Sequence, residues 1–189
     1  MKTLPLDIEA TLTAHEQAIA SIRGLASRIH EAAERILRVL DHGGQIYICG
    51  NGGSAADSQH FAAELVGRFE TERRGYPAIA LSTDTSALTS IGNDYGFDHI
   101  YSRQLEALAK PGELLIAIST SGNSANIVEA VEYARRYNIQ TVGLLGRDGG
   151  RLASLVDVPL TIGADSTARI QEAHIVILHM LCAAIDRPK

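Results

Sequence analysis

The sequence has no tryptophan, only two cysteines, and no apolar run as long as the ~18–20 residues that cross a bilayer. Cys49 and Cys182 each lie in an apolar string (IYIC and HMLC), so they read as reduced core thiols and not as a disulfide framework. No long basic run is present and the formal charge is −5, which argues against the phosphate-tracking surface of a nucleic-acid binder. The N-terminal MKTLPLDIEATLTAHEQ carries acidic residues and no apolar core segment, so we expect no signal peptide, no membrane partner and a cytoplasmic location. Repeats and low-complexity tracts are also missing. What remains, 189 residues of which 46% are hydrophobic and 21% charged, suits one globular domain with a substantial core.

Hydrophobic periodicity divides the chain in two. Residues 8–40 predict two helices with a break near Gly24; in IHEAAERILRVL the apolar positions Ile29, Ala33, Ile36, Leu37 and Leu40 follow the helical period, and Gly43-Gly44 ends it. From residue 43 onward, strands and helices alternate. Strands are predicted at QIYIC (45–49), PAIAL (77–81), ELLIAIS (113–119), QTVGLLG (140–146) and DVPLTI (157–162). Helices are predicted at 55–66, 85–94, 97–109, 123–138, 149–156 and 167–185. Alternation of this kind, with continuous apolar strands such as LLIAI, predicts an α/β fold with a doubly wound five-stranded parallel sheet covered by helices on both faces. Ligands of such sheets bind beyond the carboxyl ends of the strands.

Two turns at those ends suit an anion. Gly50-Asn51-Gly52-Gly53-Ser54 joins a strand to a helix; glycine lets backbone amides approach a ligand, the helix N-terminus favours negative charge, and Ser54 can cap the helix or donate to a phosphate. The same stretch satisfies a loose dinucleotide fingerprint, but the acidic residue expected at the next strand end is missing, and Asp84 comes much later. The second turn is ISTSGNSAN (118–126). Ser119, Thr120, Ser121 and Ser124 supply more hydroxyls around Gly122 than a helix cap uses, with Ser124 placed as N-cap. Two such turns on one sheet edge suggest a phosphorylated small molecule held between them.

Histidine and carboxylate residues form the other group. His60 and Glu64 stand four apart and share a helix face. The last helix offers Gln171, Glu172, His174 and His179. His179 lies in the apolar string IVILHMLC, where a buried imidazole needs a partner: a backbone carbonyl in a plain core, or a ligand in a site. Gln171 and His179 are about 12 Å apart along a helix, so sharing one ion requires them to lean together or a neighbouring subunit to contribute. Imidazole and carboxylate donors suit Zn²⁺.

Taken in order, CGNGGSAADSQHFAAEL, IGNDYGFD, ISTSGNSANI, GRDGG and ARIQEAHIVILH resemble the sugar isomerase (SIS) domain family, over about residues 45–186. The resemblance implies a three-layer αβα sandwich, one SIS domain over residues 1–189. Residues 1–42 would form an N-terminal helical segment for oligomerisation and 43–189 the phosphosugar-binding core. The nearest pattern is that of aldose–ketose isomerases that convert sedoheptulose 7-phosphate to glycero-manno-heptose 7-phosphate for cell-surface glycans such as lipopolysaccharide. It implies a phosphorylated seven-carbon sugar as partner and a homotetramer with sites at subunit boundaries. Substrate-binding positions would be Asn51, Gly52, Gly53, Ser54, Asn93, Asp94, Ser119, Thr120, Ser121, Ser124 and Gln171. One Zn²⁺ per subunit would be held by His60, Glu64, Gln171 and His179, with Glu64 and His179 also carrying the acid–base chemistry. The resemblance leaves a second possibility: a non-catalytic SIS adaptor that binds the bacterial replication initiator. Residues 51–70 fit both; the serine turn, IGNDYGFD and His179 fit the isomerase pattern.

Overall fold

The computed structural model describes residues 6–186. Asp7 caps the first helix, α1 (Ile8–Ser21), by accepting from the Ala10 amide at 2.9 Å. At Gly24 the chain tightens into a 3₁₀ turn (Ile22–Leu25) and continues as α2 (Ala26–Asp41). Helix α2 buries Ile29, Ala32, Ala33, Ile36 and Val39, the stripe expected of a helix with one covered face. It ends in a Schellman closure, with the Gly43 amide on the Leu40 carbonyl and the Gly44 amide on that of Val39.

The remaining chain runs β1 (Ile46–Gly50), α3 (Gly53–Val66), β2 (Ala78–Ala80), α4 (Thr85–Tyr95), α5 (Ser102–Leu108), β3 (Leu114–Ser119), α6 (Ala125–Arg136), β4 (Gln140–Gly146), β5 (Val158–Ile162) and α7 (Thr167–Ile185). The strands form one parallel sheet in the order β2-β1-β3-β4-β5. Pairing aligns Ile48, Ile116, Val142 and Val158 in one row. That row, with Ile46, Leu114, Ile118 and Leu144, faces α2, α3 and α7, and the alternate residues Tyr47, Cys49, Leu115 and Ala117 face α5 and α6. The three-layer αβα sandwich follows from this two-faced burial. Each fully buried Ile or Leu contributes about 1.5–3 kcal/mol. Pro159 is accommodated because β5 is an edge strand.

The differences from the sequence expectation are local. Helix α3 starts at Gly53, two residues early. The 97–109 segment divides into a 3₁₀ turn (Phe97–His99) and α5, and 149–156 shrinks to a 3₁₀ turn over Arg151–Ser154. These short pieces carry too few apolar positions for a periodic signal. Helix α7 is 19 residues long and apolar enough to cross a membrane by length and composition. Here it packs on α1, α2 and α3 and on the β4–β5 edge of the sheet, with Ile170, Ile177, Leu178, Leu181 and Ile185 fully buried. By contrast, α4 buries none of its residues.

Candidate active site

The strand order reverses between β1 and β3, so a crevice opens beyond their carboxyl ends. Both anion-friendly turns stand there. After β1, Gly52 is the N-cap of α3, and the amides of Ala55 and Ala56 bond back to its carbonyl. Ser54 is buried within the first turn of α3 and does not cap it. After β3, the Ser124 hydroxyl lies 3.1 Å from that of Ser119, which lies 3.5 Å from that of Ser121. Ser124 occupies the N-cap position of α6, yet its side chain makes no capping bond. Three hydroxyls thus converge where the helix dipole is positive, an arrangement suited to a phosphate. Gly122 closes the turn at φ 66°, with its α-carbon so near the Gly149 carbonyl that a β-carbon would collide. Thr120 passes its carbonyl close to Gly146. The segment after β4 buttresses the turn: the Leu152 amide donates to Gly122 and the Arg151 amide to Asn123 Oδ1.

One residue outside the sequence-based set ties the two turns together. Asn126 is buried and exchanges two hydrogen bonds with Asn51, at 2.8 and 2.9 Å. An asparagine just inside a helix looks like ordinary first-turn polarity, so the sequence carries no signal for this pair between a turn and α6.

Helices α3 and α7 run side by side down from this crevice. At the upper end, the Gln171 amide lies so close over Gly53 that a β-carbon there would overlap it. Further down, His60 and His179 meet with their Nε2 atoms 3.0 Å apart, and His60 Nε2 stands 3.5 Å from Glu64 Oε1. His179 and Glu64, two of the other expected zinc ligands, therefore each approach His60. Gln171 sits at the turn end of the seam. Among the described residues no three His, Cys, Asp or Glu side chains are already gathered as a metal cluster. The His60–His179 spacing nevertheless fits a shared ion: two nitrogens on one tetrahedral zinc stand about 3.3–3.4 Å apart. Two imidazoles and a carboxylate are the donors of an open, catalytic zinc centre. Burial pushes the Asp57 carboxyl up, with His60 opposing the shift; its Oδ2 is buried and without a partner.

The core histidine is His174, not His179. It is fully buried and its Nε2 donates to the Leu145 carbonyl at 3.0 Å. Burial lowers its pKa to about 4, against the pull of that hydrogen bond. His179 instead stacks on Phe69, ring centroids 5.6 Å apart and planes 27° apart. Glu172 turns away from the seam, to His15 at 2.7 Å and Arg169 at 2.5 Å. Both cysteines are buried; burial raises Cys49, and it pushes Cys182 up to about 12 with Glu64 adding to the shift. Asn93 and Asp94 bond to each other at 2.8 Å on the exposed last turn of α4, and no hydrogen bond joins them to the crevice among the described residues.

The SIS-domain family matches residues 12–146. The phosphoheptose isomerase of Geobacter sulfurreducens is 54% identical over 182 residues, 96% of this chain and 96% of that protein. The solved phosphoheptose isomerase of Neisseria gonorrhoeae superimposes with a TM-score of 0.90 at 47% identity, over 95% of this chain and 96% of that one. That of Francisella tularensis does so with a TM-score of 0.91 at 39% identity, with the same coverage. The chain belongs to the SIS-domain family, and within that family to the phosphoheptose isomerases. By that membership it is an isomerase.

Proposed function

We propose that the chain converts sedoheptulose 7-phosphate to D-glycero-D-manno-heptose 7-phosphate through an enediol, as a cytoplasmic homotetramer supplying precursors for cell-surface glycans. The observation that carries this reading is the separation of two chemistries along α3. The Gly52–Gly53 turn lies at its start with the serine turn beside it, and His60 and Glu64 lie seven and eleven residues on, about 10 Å and more further, where His179 of α7 meets His60. An extended seven-carbon chain with a terminal phosphate bridges such a span. Ser119, Ser121 and Ser124, with Thr120 and the amides of the Gly52–Gly53 turn, hold the phosphate, and Asn51, Gln171, Asn93 and Asp94 orient the hydroxyls. Glu64 takes the proton from C1 while His179 gives one to the C2 oxygen, forming the enediol; return of a proton to C2 and removal of the O1 proton completes the aldose. One Zn²⁺ per subunit would be held by His60, Glu64 and His179, with Gln171 as the fourth expected ligand, and would supply Lewis-acid polarisation at the reacting end of the sugar.

The homotetramer reading is supported by unpartnered surface. Helix α4, which carries Asn93 and Asp94, has no fully buried residue within one chain and packs on the core only through Leu88 and Ile91. An apolar cleft of about 610 Å³ lies between α1, α2 and the end of α7, lined by Ile19, Ile22, Ile29 and Met180. The isomerase reading is favoured over the adaptor reading by the pairing of His179 with His60 and by the three converging hydroxyls, which an adaptor does not use. A coupled assay with sedoheptulose 7-phosphate and added zinc tests it. Turnover in the parent chain and a loss of about 10²–10⁴ in Glu64→Gln is expected; no turnover in the parent, together with binding to the replication initiator, would establish the adaptor.

A further inference from the structure

The seam between α3 and α7 ends in a buried ion pair. Arg73 Nε donates to Asp186 Oδ1 at 2.7 Å, and both side chains are 3% exposed. The same guanidinium reaches carbonyls at the end of α3: Glu64 at 2.9 Å, Leu65 at 3.0 Å and Gly67 at 3.4 Å. Its face lies over the Tyr76 ring, 4.3 Å from the centroid. Asp186 in turn accepts from the amides of Glu70 at 2.9 Å and Thr71 at 2.5 Å. Burial alone would raise the Asp186 carboxyl, but these amides and Arg73 outweigh it and hold it below the usual carboxylate range. Residues 64–67 and 70–71 are therefore fixed on either side of Phe69, whose ring stacks on His179. The clasp also holds the carbonyl of Glu64 itself. A buried pair of this kind gives little net stability compared with apolar packing. Its geometric product is a fixed backbone on both sides of one aromatic ring.

We propose that Phe69, held by the Arg73–Asp186 clasp, is a positioning residue: it sets the plane of the His179 imidazole, while Arg73 fixes the backbone at Glu64, and so makes the lower end of the site competent without touching the phosphate. The inference rests on the isomerase and zinc reading above. Phe69 packs at the edge of the core, so Phe69→Ala is compared with the parent only in protein whose circular dichroism is unchanged. It is expected to weaken zinc binding by the purified apo-protein about tenfold, within the usual range for residues that orient ligands. It should lower kcat at saturating zinc by a similar factor while changing KM and the affinity for inorganic phosphate less than twofold. Phe69→Tyr keeps the ring and should restore both to within about threefold. Arg73→Lys keeps the charge and loses the fork; it should reproduce the Phe69→Ala pattern in protein whose circular dichroism is unchanged. Unchanged zinc affinity and kcat in Phe69→Ala would overturn the proposal, as would equal losses at the phosphate end. If the parent chain shows no isomerase turnover yet Phe69→Ala still loses zinc affinity, the function reading fails and the positioning role stands.

Discussion

At the scale of single residues, the site separates into groups whose removal should be felt differently. Glu64→Gln removes the proton acceptor but keeps the shape of the side chain. It should lower kcat by about 10²–10⁴ with little change in KM, measured by coupled assay. Ser124→Ala makes a sharper distinction. Replacing a capping serine usually costs about 0.5–2 kcal/mol, but the Ser124 hydroxyl faces Ser119 and caps nothing. The expected outcome is a raised KM for the phosphosugar with stability, from urea unfolding, within about 0.5 kcal/mol of the parent. His174 carries the pH dependence. It titrates at about 4 when folded, below its ordinary 6.5, so the unfolded chain takes up the proton first. Its contribution is complete above pH 6.5 and is lost progressively as pH falls toward 4, by an amount on the order of 3 kcal/mol. Urea midpoints at pH 7 and pH 5 should show this loss, and His174→Gln, which can still donate to the Leu145 carbonyl, should reduce it. The apolar string around His179 pointed to a buried imidazole on α7. A one-dimensional string does not tell which of two helix faces meets the sheet, and the buried imidazole is the one five residues earlier.

At the scale of elements, the sheet and its order of alternation were legible because the central strands β1, β3 and β4 are apolar on both faces and had to be covered on each. Turn chemistry was legible where hydroxyls exceeded what a cap requires. Pairings that cross elements were not. Asn51 with Asn126, Arg73 with Asp186 and Phe69 with His179 are 75, 113 and 110 positions apart, and each residue taken alone resembles an ordinary loop, charge or core residue. The serine turn offers the clearest test at this scale. It depends on Gly122 at φ 66° against the Gly149 carbonyl. Gly122→Ala forces both the backbone conformation and the contact, and should cost about 1–3 kcal/mol. Because the turn would move as a unit, KM for the phosphosugar should rise more than kcat falls. An unchanged KM would separate the turn from phosphate binding.

At the scale of the whole molecule, the proposed tetramer would complete a site that one chain leaves open. An 11-residue helix is marginal by itself, and α4 is held to the core only by its half-buried Leu88 and Ile91. It nevertheless carries Asn93 and Asp94. The groove beside His60, lined by Gln59, Ala63, Val66, Ile79 and Thr83, is open along α3, so one wall is missing where the reacting end of the sugar would lie. In the tetramer proposed above, the N-terminal helices would bring chains together, and a neighbouring chain would cover α4 and the groove. Leu12 is half exposed on the α1 face that also presents His15 and Ile19 to the apolar cleft. Leu12→Glu therefore leaves the single chain's core untouched while placing a charge in the surface between copies. Light scattering after size exclusion should show the parent as a tetramer and the variant as a smaller species, with isomerase activity falling in proportion to the tetramer lost. A smaller species with full activity would mean that each chain completes its own site, and that Asn93 and Asp94 play no part in a neighbour's.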